Sequence, residues 1–164
     1  MALSKIDTAA IAADAVTNTK IDASLGKVLQ VVEATSSSQV NISTTTFSDV
    51  LTANITPSST SSKILVMGVA SGYQNQVGSA TSNYMGLFRD STEIHVQRQT
   101  QYDTGASTEH QISFALQKLD SPATTSQITY RMKAKRDSTT YAIRLNYSSG
   151  NTAGIGLVLM EIEG

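Results

Sequence analysis

From residue 27 onward, apolar and polar residues alternate with a period of two, and helical spacing is missing. Ile112, Phe114 and Leu116 alternate with Ser113, Ala115 and Gln117. Ile128, Tyr130, Met132 and Ala134 alternate with Thr129, Arg131, Lys133 and Lys135; Tyr141, Ile143, Leu145 and Tyr147 alternate with Ala142, Arg144 and Asn146. Successive strand side chains point to opposite faces, so each segment reads as a strand with one face in a core and one in water. Further strands are predicted over Lys27–Glu33, Thr46–Ile55, Lys63–Ala70, Tyr84–Arg89, Glu93–Arg98 and Gly154–Glu163. Thr56-Pro57-Ser58, Asp120-Ser121-Pro122 and Ser148-Ser149-Gly150-Asn151 are turn signals between them. The tetrapeptide Arg-Asp-Ser-Thr occurs at Arg89–Thr92 and again at Arg136–Thr139; Asp can satisfy its own turn backbone, so both read as hairpin turns. The expected fold is all-β, a jelly-roll-like antiparallel β-sandwich.

Three strands break the half-wet pattern. Ile64, Val66 and Ala70 stand opposite Leu65, Met67 and Val69; Ile155, Leu157 and Leu159 stand opposite Val158, Met160 and Ile162; Val28 and Val32 stand opposite Leu29 and Val31. A strand apolar on both faces is a strand covered on both. With no helix available, the cover for Leu29, Val31, Leu65, Met67, Val69, Val158, Met160 and Ile162 is expected from another subunit, or else from a long loop such as Val77–Ser82.

Residues 1–26 follow a different rule. Ile6, Ile11, Val16 and Ile21 recur every five residues between Ala, Thr, Ser, Asp and Asn, and Lys5-Ile6-Asp7 returns as Lys20-Ile21-Asp22. On an α-helix each such step turns the apolar residue by roughly 140°, so no stripe forms. On a strand the odd step throws alternate residues to opposite faces. Four isolated apolar side chains do not offset the entropy of ordering such a segment, so the arm is expected to order only against other copies or another protein. The chain thus divides into a repeat arm, 1–26, and a sandwich head, 27–164.

Composition narrows the function classes. Cysteine is absent, which excludes disulfides, thiolate metal sites and Cys nucleophiles. Twelve basic residues against 13 acidic ones give a net charge of −1, with no field to draw in nucleic acid or an anionic membrane. No segment approaches the ~20 apolar residues of a membrane span, and Asp7 and Asp14 interrupt any signal-peptide core near the start. Synthesis without export, in the cytoplasm of the cell where it is made, is the expectation.

Candidate chemistry is sparse. His95 and His110 are the only histidines and have no acidic residue at metal-ligand spacing. No nucleophile elbow, phosphate loop or HExxH motif occurs. Most acids fall in predicted turns or at strand ends, where solvated roles are the default, so no enzyme, metal or cofactor is expected. Two stretches read as long loops, Gly72–Asn83 and Gln99–Glu109. Their Tyr73, Asn75, Tyr102 and Asp103 are candidate glycan contacts, since amides hold sugar hydroxyls while a tyrosine ring stacks on a sugar face.

The arm's Lys-Ile-Asp and Ala15-Val16-Thr17-Asn18-Thr19-Lys20-Ile21 phrases resemble the repeats that precede head domains in bacteriophage tail-fibre and virion-fibre proteins. The body resembles a sandwich domain of phages of aquatic bacteria through Gly26–Val32, Ile55–Val66, Arg89-Asp90-Ser91, Leu119-Asp120-Ser121-Pro122 and Leu159-Met160-Glu161-Ile162. The resemblance implies a homotrimeric virion surface protein whose arm attaches to another virion protein and whose sandwich projects outward. The short stretch before the repeats fits a short head fibre or capsid decoration protein as well as a tail fibre. Adhesion to a host surface glycan is the added role to test.

Overall fold

The computed structural model describes residues 26–76, 80–102, 108–138, 140, 142–147 and 154–164. The arm residues Ile6, Ile11, Val16 and Ile21 lie outside the described residues, as do Asp103, Tyr141 and the turn signal at Ser148–Asn151. The described residues form ten strands: β1 (Val28–Ser36), β2 (Val40–Ile42), β3 (Ser48–Ile55), β4 (Lys63–Gln76), β5 (Thr81–Arg89), β6 (Thr92–Gln101), β7 (Thr108–Asp120), β8 (Ile128–Arg136), β9 (Ile143–Leu145) and β10 (Ile155–Ile162).

Two antiparallel sheets pack face to face. The first runs β1-β10-β4-β7, with β9 and then β2 added beside the later half of β4; the second runs β3-β8-β5-β6. The chain crosses between the sheets after β2, β3, β4, β6, β7 and β8, and its first strand lies beside its last. This folded-over order is a jelly roll, and the sandwich expected from alternation is the fold found.

The core fills the gap between the sheets. Ile64, Val66, Ile112, Phe114, Leu157 and Leu159 from the first sheet meet Met85, Leu87, Tyr130, Met132 and Ala134 from the second. Each large apolar side chain removed from water contributes roughly 1.5–3 kcal/mol, so this two-sided layer is the main source of stability. Gly72 has a packing reason: β9 crosses so closely that a Cβ there would sit 2.8 Å from Leu145 Cα.

The sandwich has two distinct ends. At the base, where β1 emerges from the arm, the register aligns Val28, Ile162 and Lys63, with Ile55 opposite Ile128 and Arg89 opposite Tyr130. All five body phrases that carry the resemblance meet there. At the far end Ser36 pairs with Ile155, Gln76 with Thr108 and Thr81 with Gln101.

Several boundaries differ from expectation. Both supposed long loops give way to strand at their edges: β4 runs on to Gln76, β5 starts at Thr81, and β6 and β7 extend to Gln101 and back to Thr108. The alternation continues there with polar residues facing inward, Gln74 being wholly buried, and this hid it from a hydrophobicity pattern. The Tyr141–Tyr147 strand shrinks to three residues, because Asn146 takes a positive φ of 54° and turns the chain. The first Arg-Asp-Ser-Thr is a hairpin turn, with Asp90 at φ 53°, but the second is a crossing from β8 to the other sheet. Its first residue, Arg136, is buried between the sheets and does not begin an exposed turn.

Candidate functional site

The outer face of the first sheet gathers seven of the eight residues expected at a subunit interface; at the eighth, Leu29, the register of β1 shifts and Val28 takes the place opposite Ile162. One row crosses four strands as Val31, Met160, Leu65 and Leu119; the next runs Glu33, Val158, Met67 and Gln117; the third runs Thr35, Gly156, Val69 and Ala115. Leu29 occupies a bulge on β1, and Ile162 lies one step nearer the base. Within the single chain Val31 remains 55% exposed, Val69 52%, Leu119 47% and Leu29 43%, while Leu65, Met67, Val158, Met160 and Ile162 are half-buried against one another. Two shallow grooves run between β4 and β7, one bordered by Met67, Val69, Ala115 and Gln117, the other by Leu65, Lys118 and Leu119. Of the loop offered as alternative cover, Thr81 and Ser82 belong to β5 in the opposite sheet. Leu119 was missed by the sequence reading, although it breaks the polar side of the β7 alternation.

The outer face of the second sheet is different in kind. Asp49 bonds Arg131 at 2.8 Å and Lys133 at 3.2 Å. Lys135 lies over the rings of Phe47 and Tyr84, Lys133 over Phe88, and Phe47 meets Phe88 edge-on at 5.0 Å. Its aromatic surface is covered by its own cations.

Two buried acids brace the base, against the expectation that acids here are solvated. Glu161 on β10 is fully buried and continues the inward series Ile155, Leu157, Leu159. Its carboxylate accepts from the Ser58 N–H at 2.7 Å, the Ser58 hydroxyl at 2.6 Å and Gln30 Nε2 at 2.6 Å, which ties the Pro57 turn to two strands. Burial alone would raise this carboxyl, but the hydrogen bonds from Ser58 and Gln30 outweigh it and hold it at about 2. Asp120 accepts from Arg89 Nη1 at 3.1 and 3.0 Å and from the Tyr130 hydroxyl at 2.7 Å. Burial, reinforced by that bond to Asp120, pushes the Tyr130 phenol above its ordinary range, so it stays a donor. Both acids are committed to structural bonds and neither faces an open cleft.

The candidate glycan contacts are only partly brought together. Tyr73 points outward from β4 and meets Tyr147 edge-on at 5.9 Å; Arg144 lies 4.2 Å from the Tyr147 ring centre and bonds Glu109 at 2.5 Å. Tyr102 follows β6 on the other sheet and is 72% exposed. The Asn75 backbone pairs with Glu109, and its side chain lies outside the described part of the molecule. Among the described residues no group of three His, Asp or Glu side chains is placed to hold a metal ion, and no helix is long and apolar enough to cross a membrane.

No protein-family model matches the chain, and no curated protein matches it. Among solved structures it is similar to the infectious bursal disease virus VP2 subviral particle, at a TM-score of 0.37 and 10% identity. That likeness covers 81% of this chain and 39% of the VP2 chain, so this chain spans well under half the length of its structural neighbour.

Proposed function

We propose that this protein is a structural component of a phage particle, a short trimeric fibre or capsid decoration protein, and not an enzyme. In this reading the arm, with Ile6, Ile11, Val16 and Ile21, attaches to another virion protein, and the sandwich is displayed on the virion surface. The observation that carries it is the apolar face extending over β1, β10, β4 and β7, which a protein acting alone has no reason to keep in water. Order in the five-residue repeats needs companions for the entropic reason given above, and the resemblance to phage fibre phrases supplies the particle. Sedimentation velocity of the full chain and of residues 27–164 tests it. The expected outcome is a trimer for the full chain and a weaker assembly without the arm; monomers in both cases contradict the proposal.

A second reading, a receptor-binding tip or carbohydrate-binding module, is favoured by the Tyr73, Tyr147, Arg144 and Glu109 cluster. Paired rings beside a charged pair offer stacking and hydrogen bonds to a sugar. Glycan-array binding that disappears in Tyr73→Ala and Tyr147→Ala supports it, and silence across the array removes it.

A further inference from the structure

The interior turns polar at the far end of the sandwich. Arg136 follows Tyr130, Met132 and Ala134 on the inward face of β8 and is only 1% exposed. Its backbone N–H donates to the Thr44 carbonyl at 2.9 Å, which fixes the strand end. Its side chain is treated differently: among the described residues, nothing accepts a hydrogen bond from Nε, Nη1 or Nη2. Asn83, its register partner on β5, is fully buried, donates from Nδ2 to Gln74 and leaves its own Oδ1 unpartnered. The next acid along the chain, Asp137, is occupied by the Ser82 N–H at 2.8 Å.

A guanidinium keeps its proton in proteins, so a closed interior here contains a full positive charge with five N–H donors. Buried charges persist when they are paired and bonded. The nearest acid only partly opposes the effect of burial on this group. A carboxylate carried by a second chain has no route to a side chain this enclosed, whereas a single ion enters through local opening. We propose that Arg136 anchors an internal anion site at the far end of the sandwich, taking a small monovalent anion of chloride size. The ion would receive the guanidinium fork and hold the end of β8 against β5.

Thermal unfolding of the full chain at constant ionic strength tests this, with sodium gluconate replaced stepwise by sodium chloride and Arg136→Met run in parallel. Relative to that variant, the wild-type unfolding constant is expected to fall about tenfold for each tenfold rise in chloride above its dissociation constant. Parallel curves for the two proteins overturn the proposal. Should Arg136→Met not fold, crystals of the wild type grown in bromide decide it. An anomalous peak in hydrogen-bonding contact with the guanidinium nitrogens supports the site, and only water or Asn83 Oδ1 on those nitrogens contradicts it.

Discussion

The two ends of the sandwich bury charge in opposite ways. At the base, Glu161 and Asp120 are each surrounded by donors: Ser58 and Gln30 for one, Arg89 and Tyr130 for the other. At the far end, Arg136 is buried as deeply and has no acceptor among the described residues. The difference separates charges that close the fold from a charge that the described fold leaves unanswered. The phrases that meet at the base, Arg89-Asp90-Ser91 and Leu119-Asp120-Ser121-Pro122 among them, spell out turns and clamps.

The contrast makes graded predictions. Glu161→Ala is expected to cost about 2–3 kcal/mol in urea unfolding, because the Ser58 and Gln30 donors stay buried without an acceptor. The same carboxylate makes stability pH-dependent. Its folded value, about 2, lies below its ordinary 4.5, so its contribution is complete above about 4.5 and is lost as pH falls toward 2. Glu161→Gln should remove that slope; an unchanged acid limb in melting curves assigns it elsewhere. Tyr130→Phe removes one bond to Asp120 and leaves Arg89 in place, so about 1 kcal/mol is expected by the same measurement. Arg136→Met, in buffer without small anions, should leave stability level or raise it by about 1 kcal/mol, as when a hydrophobe replaces an unpaired buried charge. A loss as large as that of Glu161→Ala would erase the difference between the ends.

The sequence disclosed the parts of the fold that alternation controls. The inward faces of β7 and β8 and the double-sided character of β4 and β10 follow from residue type at every second position, whereas the bulge in β1 turns Val28 away from the face of Val32. What stayed hidden was carried by polar residues facing inward. Gln74, Asn83 and Arg136 made strand ends look like loops, and Glu161 was passed over although it extends the buried series of β10. Pairing was hidden as well: two copies of Arg-Asp-Ser-Thr became one hairpin and one crossing, because the partner strand, not the tetrapeptide, decides the path. For the candidate interface, sequence named eight residues, and all but Leu29, which falls in the β1 bulge, share one outer face. Leu119 on the neighbouring β7 escaped because the rest of that side of the strand is polar. The glycan candidates were chosen by type alone, and Tyr102 and Tyr73 lie on different sheets.

The two outer faces carry the functional reading. The second sheet covers its aromatic surface with Lys133, Lys135 and the Asp49 pairs, whereas the first sheet leaves Val31, Val69 and Leu119 bare. Lys135→Ala is therefore expected to cost at most about 0.5–1 kcal/mol of stability and to leave assembly unchanged. The most direct measurement is the solution mass of the full chain beside Leu65→Glu and Met67→Glu, by sedimentation equilibrium. Trimers for the wild type, and monomers with unchanged circular dichroism for the two variants, are the predicted result. A monomeric wild type, or variants that assemble as it does, would contradict the assignment of this face to other copies of the chain.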